Sequence, residues 1–323
     1  MNDLSKDSAT LLEVDEEAAG QRIDNFLLRQ AKGVPKSHVY RILRSGEVRV
    51  NKGRIRADYR LLAGDIVRVP PIRVASKLES LVAPAREFDV AFEDDALIIL
   101  DKPSGTAVHG GSGVSFGVIE QLRKARPRAK MLELAHRLDR ETSGLLIVAK
   151  KRVALTTLHD MFRDGGISKR YLAMVKGRWI NPTQHVKVSL HKYLTEKGER
   201  RVMVADDGKA SHSIVRLKAR WENFSLVEVE LKTGRTHQIR VHLAHLGFPI
   251  AGDDKYGDFT LNRELQKTGL KRMFLHAAKL SLPHPVSGEK LALEAKLPPE
   301  LIMFIEMVER NEKREFGELT GYV

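Results

Sequence analysis

Nine residues from His136 to Gly144 read His-Arg-Leu-Asp-Arg-Glu-Thr-Ser-Gly and run into an apolar stretch, Leu145 to Ala149. Polar groups packed beside a core strand are costly unless they are paired. Taken alone the segment reads either as a satisfied polar turn, made by Ser143 and Gly144, or as a reactive site. Asp139 is flanked by Arg137 and Arg140, and guanidiniums around a carboxylate favour its charged form. A permanent anion suits a nucleophile or a base in an apolar pocket. A second cluster spans Leu231 to Gly247. A strand ends at Thr233 and Gly234, and a helix begins near Thr236, with Ile239, Leu243 and Leu246 facing inward and Gly247 closing it. Arg235, His237, Gln238 and Arg240 gather at its start. His237, His242 and His245 invite a metal reading, but no His-Glu-x-x-His pattern is present and the helix holds no acid, so no metal is expected. A third segment, Lys169-Arg-Tyr171, places a tyrosine after two cations on a strand. Alone, that tyrosine reads as a packing residue.

The elements that must carry these groups follow from periodicity. Strands are expected at 90–92, 97–101, 145–150, 169–176, 212–219 and 224–232. Helices are expected at 118–126, 152–163, 236–246 and 299–309. Strand pairs with few intervening helices point to an α+β domain around a mixed, mainly antiparallel sheet. Gly110-Gly-Ser-Gly113 has neither the Lys-Ser/Thr of a phosphate loop nor a three-glycine fingerprint, so it reads as a mobile substrate loop rather than a nucleotide site. The expected organisation is a flexible N-terminus over 1–19, a small α/β domain over 20–76, a linker over 77–88 and the large domain over 89–323.

Composition narrows the function. The 323 residues contain no cysteine, which removes disulfides, thiolate nucleophiles, iron–sulfur clusters and cysteine zinc sites. Apolar runs reach about five residues where a membrane span needs about 20. No secretory signal is visible at the start, and a cytoplasmic location is expected. The net charge of +13 is uneven: Gln21 to Ser76 holds thirteen Lys and Arg against four acids. The surplus is either a solvated face or a grip on a polyanion. Here two short helices, Arg22 to Ala31 and Ser37 to Arg44 with Ser37 as N-cap, flank a break at Gly33-Val-Pro35. Lys36, Arg41 and Arg44 point outward. A basic hairpin follows, turning at Asn51-Lys-Gly53 and returning along Asp65 to Pro70.

This segment resembles the S4 RNA-binding domain, on Arg22-Ile-Asp24, Ser37 to Asn51, and Leu62-Ala-Gly-Asp-Ile-Val67. That implies RNA-backbone contacts by Arg22, Lys36, Arg41, Arg44, Arg49, Lys52 and Arg54. The remainder resembles the RluA family of pseudouridine synthases, on Leu100-Asp-Lys-Pro-Ser-Gly105, His136 to Gly144, Lys169-Arg-Tyr-Leu-Ala173 and Leu231 to His242. The resemblance implies isomerisation of uridine to pseudouridine in RNA. It implies Asp139, Tyr171 and Arg240 as catalytic residues, with Arg240, or alternatively Arg235, paired to Asp139. It also implies that Arg137, Arg235, His136 and Arg140 bind substrate, Arg137 filling the place of a flipped-out base. The expected partner is large-subunit 23S rRNA. No cofactor, nucleotide or membrane is expected, and the chain is expected to be a monomer. Two alternatives stay open: a sister synthase acting on other rRNA or tRNA uridines, and a non-catalytic S4-type RNA-binding or ribosome-assembly protein.

Overall fold

A computed structural model describes residues 5, 7–16, 18–31, 34–72, 83–111, 114–196, 198–317 and 319. Positions 77–82 of the expected linker, and Ser112 and Gly113 of the glycine-rich loop, lie outside the described residues, as do Gly33 and most positions after 317. The chain divides into two compact units, residues 1–82 and 83–323.

In the first unit, β1 (Thr10–Glu13), β2 (Arg49–Val50), β3 (Gly53–Arg54) and β4 (Ile66–Val69) form a sheet in the order β1-β4-β2-β3. Two helices, α1 (Ile23–Gln30) and α2 (Lys36–Arg44), pack on it. Ile23, Phe26 and Leu27, and then Val39, Ile42 and Leu43, form their buried stripes at helical spacing. The N-terminus differs from the flexible segment expected over 1–19. Thr10–Glu13 pairs antiparallel with β4, and Leu12, Val14 and Ala18 are buried. Ser37 is not the cap of α2: that helix starts at Lys36 and its N-cap is Pro35, whose carbonyl takes the His38 and Val39 N–H groups. The hairpin turn has Asn51 and Lys52 both at positive φ, as a tight two-residue turn needs. Asn51 also donates to the buried Asp65 at 2.8 Å, which accepts from the Tyr59 hydroxyl and the Leu62 N–H as well.

In the second unit, β5 (Asp89–Glu93), β6 (Leu97–Lys102), β7 (Glu133–Leu134), β8 (Ser143–Ala149), β9 (Ser168–Lys176), β10 (Thr183–Leu194), β11 (Arg200–Val204), β12 (Lys209–Arg220), β13 (Phe224–Leu231), β14 (Leu275–Pro283), β15 (Lys290–Glu294) and β16 (Phe316–Gly317) form one sheet. Its main path runs β11-β10-β12-β13-β9-β14-β8-β6-β5. Every pairing is antiparallel except β14 with β8. Helices α3 (Val118–Ala125), α4 (Arg152–Asp164), α5 (Gln238–His245), α6 (Phe259–Lys267) and α7 (Pro299–Asn311) cover the faces. The fold is the expected α+β arrangement around a mainly antiparallel sheet.

The expected strands and helices are present with ends shifted by at most three residues. The sequence reading missed β1, β7, β10, β11, β14, β15, β16 and α6. In β10 only Val186 and Leu190 are fully buried, so a long polar strand carries a weak alternating signal. The cap of α6 is Asp258, whose Oδ1 accepts from the Thr260 and Leu261 N–H groups at 3.0 Å.

Ser143 and Gly144 are not a turn. They open β8 and form its parallel pairing with His276 and Ala277 of β14. Gly144 sits at φ +104, and a Cβ there would lie 2.3 Å from the Ala277 carbonyl oxygen. Only glycine lets the two strands approach so closely. That junction fixes where the loop before β8, which carries Asp139, leaves the sheet.

Candidate active site

The loop 135–142, the end of α4, the start of β9 and the segment from Leu231 into α5 enclose a cleft of about 450 Å³. Asp139, Tyr171, Arg240, His136, Arg137 and Arg235 all line it. The structure thus brings three sequence-distant segments to one place.

The loop is held from behind. Lys102 is fully buried at the end of β6, and its ammonium donates to the carbonyls of Pro103 and Thr106 at 2.8 Å and of Arg140 at 3.1 Å. Burial pushes this ammonium down to about 7, and the charge of Arg272 adds to the effect. Ser104 donates to the Glu141 carbonyl at 2.8 Å. Arg272 donates to the same carbonyl at 3.2 Å and to Ser143 Oγ at 2.7 Å. Ser143 passes its own proton to His276 Nδ1 at 2.8 Å, and His276 Nε2 donates to the Ala295 carbonyl at 3.2 Å. Asp139 therefore projects from a loop whose next two carbonyls, those of Arg140 and Glu141, are tied down.

Arg240 Nη1 lies 3.5 Å from Asp139 Oδ2, so Arg240, not Arg235, faces the carboxylate. Its strongest partner is another acid. Arg240 Nε and Nη2 bind Asp253 Oδ2 and Oδ1 at 2.7 and 2.6 Å, and Nη2 also reaches Asp254 at 3.1 Å. Both Arg240 and Asp253 are buried. Burial opposes each charge, but the bidentate pair outweighs it and holds Asp253 below the usual carboxylate range and Arg240 above its ordinary value.

His237 is the second group near Asp139, with Nε2 at 4.0 Å from Oδ2. It precedes α5 in the left-handed region, at φ 52. Its Nδ1 lies 2.8 Å from the Tyr256 hydroxyl. Burial pushes this imidazole below its usual value; Asp139 opposes the shift and Arg240 adds to it. Tyr256 also lies under the Arg240 guanidinium, 5.2 Å from it. The segment that turns into α5 is pinned by Gln238, whose amide oxygen accepts from Thr233 Oγ1 at 2.8 Å and Arg235 N at 3.0 Å. Its NH₂ donates to His212 O and Ser213 Oγ.

Tyr171 is buried in the main core beside Val229 and Leu275, with its ring at the cleft. Burial raises its phenol well above the ordinary value, and the charge of Asp139 adds to this. The hydroxyl stays protonated, and the ring offers the cleft a stacking surface.

The other residues singled out from sequence divide. Arg137 is exposed at the cleft mouth with no acid partner among the described residues. His136 accepts the Ile147 N–H at 3.0 Å and packs on Phe162, and burial holds its pKa down at about 3. Its ring is a strut as much as a wall. Arg140 does not reach the cleft; it is exposed and pairs with Glu141 at 2.8 Å. The guanidinium that faces Asp139 therefore comes from α5, and not from the sequence neighbours Arg137 and Arg140. Arg235 lines the mouth and donates to the Ala210 carbonyl at 3.1 Å.

In the first unit, Arg22 pairs with the buried Asp24 at 2.7 Å, and Tyr40 donates to the same acid. Arg41 pairs with Glu47 at 3.1 Å, Arg49 leans on the Gly46 carbonyl and Arg54 on that of Ser45. Lys36, Arg44 and Lys52 are exposed and have no acid partner among the described residues.

Sequence reasoning missed Asp253 and Tyr256, and gave Lys169 no role of its own. Lys169 sits 4.7 Å above the Phe162 ring at the cleft, where burial lowers its ammonium to about 8. The one available signal was the run Gly252-Asp-Asp-Lys-Tyr-Gly257, polar and glycine-bounded after a helix. Among the described residues no group of three or more His, Asp or Glu side chains could hold a metal ion. No helix there is long and apolar enough to cross a membrane.

Residues 96–245 match the family model described as RNA pseudouridylate synthase, and residues 21–67 match the S4 domain. The "Ribosomal large subunit pseudouridine synthase C" of Yersinia pestis is 53% identical over 297 residues, covering 90% of this chain and 93% of that protein. The protein of the same name from Salmonella typhimurium is 51% identical over 314 residues, covering 95% and 98%. Among solved structures, human "RNA Pseudouridylate Synthase Domain Containing 4" superposes with a TM-score of 0.58 at 23% identity. It covers 71% of this chain and 95% of that one, a likeness of fold.

Proposed function

The chain belongs to the RNA pseudouridine synthases, and we propose that it isomerises selected uridines of 23S rRNA, working as a monomer in the cytoplasm. One observation carries the reading: Asp139 stands in a cleft between the Arg240 guanidinium, 3.5 Å away, and the buried Tyr171. The relatives' printed names supply the large-subunit rRNA.

The reaction breaks the N1–C1′ bond, turns the base, joins C5 to C1′, and moves a proton from C5 to N1. Every atom is conserved, so no co-substrate enters the balance. The uridine must leave its stack for the cleft to reach C1′. Arg137, exposed at the mouth, takes the vacated place in the RNA. Asp139 either attacks C1′ or removes the C2′ proton, and both routes need the carboxylate ionised. The Arg240 guanidinium, 3.5 Å from Oδ2, faces that carboxylate. Tyr171, kept protonated, stacks on the base. The exposed cations of the S4 unit hold the RNA backbone.

The test is conversion of a 23S rRNA transcript by the full-length protein, with pseudouridines mapped afterwards. Asp139→Asn is expected to convert less than about a thousandth as fast while binding RNA within a few-fold. Substantial conversion by Asp139→Asn, or no conversion by the wild type, overturns the reading.

A further inference from the structure

Tyr256 has a hydroxyl oxygen that already accepts the Val202 N–H at 2.9 Å. Its own proton is therefore free for His237 Nδ1, 2.8 Å away. An Nδ1 that accepts leaves the proton of a neutral imidazole on Nε2. That Nε2–H is the atom facing Asp139 Oδ2, at 4.0 Å. Arg240 Nη1 approaches the same oxygen at 3.5 Å. Among the described residues no donor contacts Oδ1. The backbone adds an independent sign. Of the described non-glycine residues, His237 joins only the hairpin pair Asn51 and Lys52 at positive φ. A non-glycine residue in this region carries a conformational cost that persists only where surrounding structure imposes it, and such costs cluster at functional sites.

We propose that His237, locked by Tyr256 as the Nε2–H tautomer, is a positioning residue that joins Arg240 in fixing Oδ2 of Asp139 and leaves Oδ1 as the reacting oxygen. This rests on Asp139 being the catalytic carboxylate. The separation of 4.0 Å belongs to the free protein, and closure on the flipped nucleotide brings the donor into hydrogen-bond range. The chain Val202 N–H, Tyr256 O–H, His237 Nε2–H runs in one direction, so each donor is polarised toward the carboxylate. Tyr256 serves both groups at once, through its hydroxyl to His237 and its ring under Arg240.

The test uses the full-length protein and has two independent arms. Nitrogen-15 NMR of the histidine-labelled protein, with His237 assigned by substitution, is expected to show a protonated Nε2 and an unprotonated Nδ1. The opposite tautomer overturns the proposal whatever the activity. In the second arm, single-turnover rates are measured on a 23S rRNA transcript. His237→Asn keeps a residue that tolerates the left-handed backbone but is too short to reach Asp139. It is expected to lower the rate by up to about a hundredfold with RNA affinity within twofold. His237→Gln restores an amide donor at nearly the same reach and is expected to recover part of the loss. Tyr256→Phe is expected to cost several-fold alone and nothing further on top of His237→Asn, because it acts through the imidazole. Additive losses, or a wild-type rate in His237→Asn, overturn the proposal. Full turnover by Asp139→Asn identifies a failure of the catalytic reading instead.

Discussion

The Arg240 guanidinium is committed to Asp253 before it meets Asp139: two short hydrogen bonds of 2.7 and 2.6 Å bind it to Asp253, and one nitrogen at 3.5 Å remains for Asp139. A buried guanidinium with a single, reacting carboxylate partner would reorient whenever that partner changed charge. The buried Asp253, which also accepts the Lys255 and Tyr256 N–H groups, fixes the fork in place. The charge near Asp139 is thereby preorganised and needs no rearrangement during reaction.

Asp253→Asn should therefore damage both folding and turnover. The substitution takes from a buried guanidinium its bidentate counter-charge, a change that costs about 3–5 kcal/mol in comparable buried pairs. A fall in denaturation midpoint and a single-turnover rate reduced more than about tenfold are expected. A variant with the wild-type midpoint and rate would show that Asp253 neither anchors Arg240 nor serves Asp139.

How much of this was legible in sequence depends on what carried the information. Local period and short motifs marked α4, α5, β8 and the segments around Asp139, Tyr171 and Arg240. Asp253 and Tyr256 escaped because their roles exist only where a loop folds back on α5, a long-range contact with no periodic trace. Local spacing is also silent on what faces Asp139; the resemblance, not the neighbouring residues, pointed to Arg240. Arg137 and Arg140 are its neighbours in the chain, yet Arg140 turns away to Glu141. Ser143-Gly144 looked like a turn because glycine after a polar run usually makes one. Here the glycine admits a neighbouring strand's carbonyl instead.

Gly144→Ala tests that close approach. The new methyl group would stand 2.3 Å from the Ala277 carbonyl oxygen and impose positive φ on an alanine. Strain of each kind costs about 1–3 kcal/mol, so the expected loss of stability exceeds about 2 kcal/mol. Relief requires β8 and β14 to separate, which moves the loop bearing Asp139. Turnover should fall more than RNA binding does. Wild-type stability in a denaturant titration would mean that the junction yields freely.

The S4 unit should reveal itself through salt. Lys36, Arg44 and Lys52 are exposed without acid partners, so neutralising them removes cations without orphaning an acid. For single-stranded nucleic acid each lost phosphate contact lowers the slope of log affinity against log salt by about 0.7. The triple alanine variant is therefore expected to reduce the slope by about 2, with the maximal single-turnover rate at saturating protein unchanged. An unaltered slope would remove these residues from the RNA interface.

The catalytic unit should lose stability in mild acid through two buried histidines. His276 uses both ring nitrogens, accepting from Ser143 and donating to Ala295, and burial lowers it to about 4. His242 donates from Nε2 to Ser211 Oγ at 2.7 Å, and its buried Nδ1 has no hydrogen-bond partner. Burial also lowers His242 to about 4, with nearby His245 and His212 adding to the shift. A proton added to His242 Nδ1 would find no acceptor, and one added to His276 Nδ1 would displace the proton that Ser143 donates to it. In the unfolded chain both rings titrate near pH 6.5. Between that pH and about 4 the unfolded state binds more protons, so stability is complete above 6.5 and declines as the pH falls. From pH 6.5 to 5.5 each ring is expected to cost about 1 kcal/mol. Both tryptophans, Trp179 and Trp221, are buried in the 83–323 unit, so tryptophan fluorescence in a denaturant titration reports its unfolding. His242→Gln should remove about half of the two rings' pH dependence, whatever it does to stability at pH 6.5. An unchanged slope in that variant would show that His242 is protonated as readily in the folded protein as in the unfolded chain.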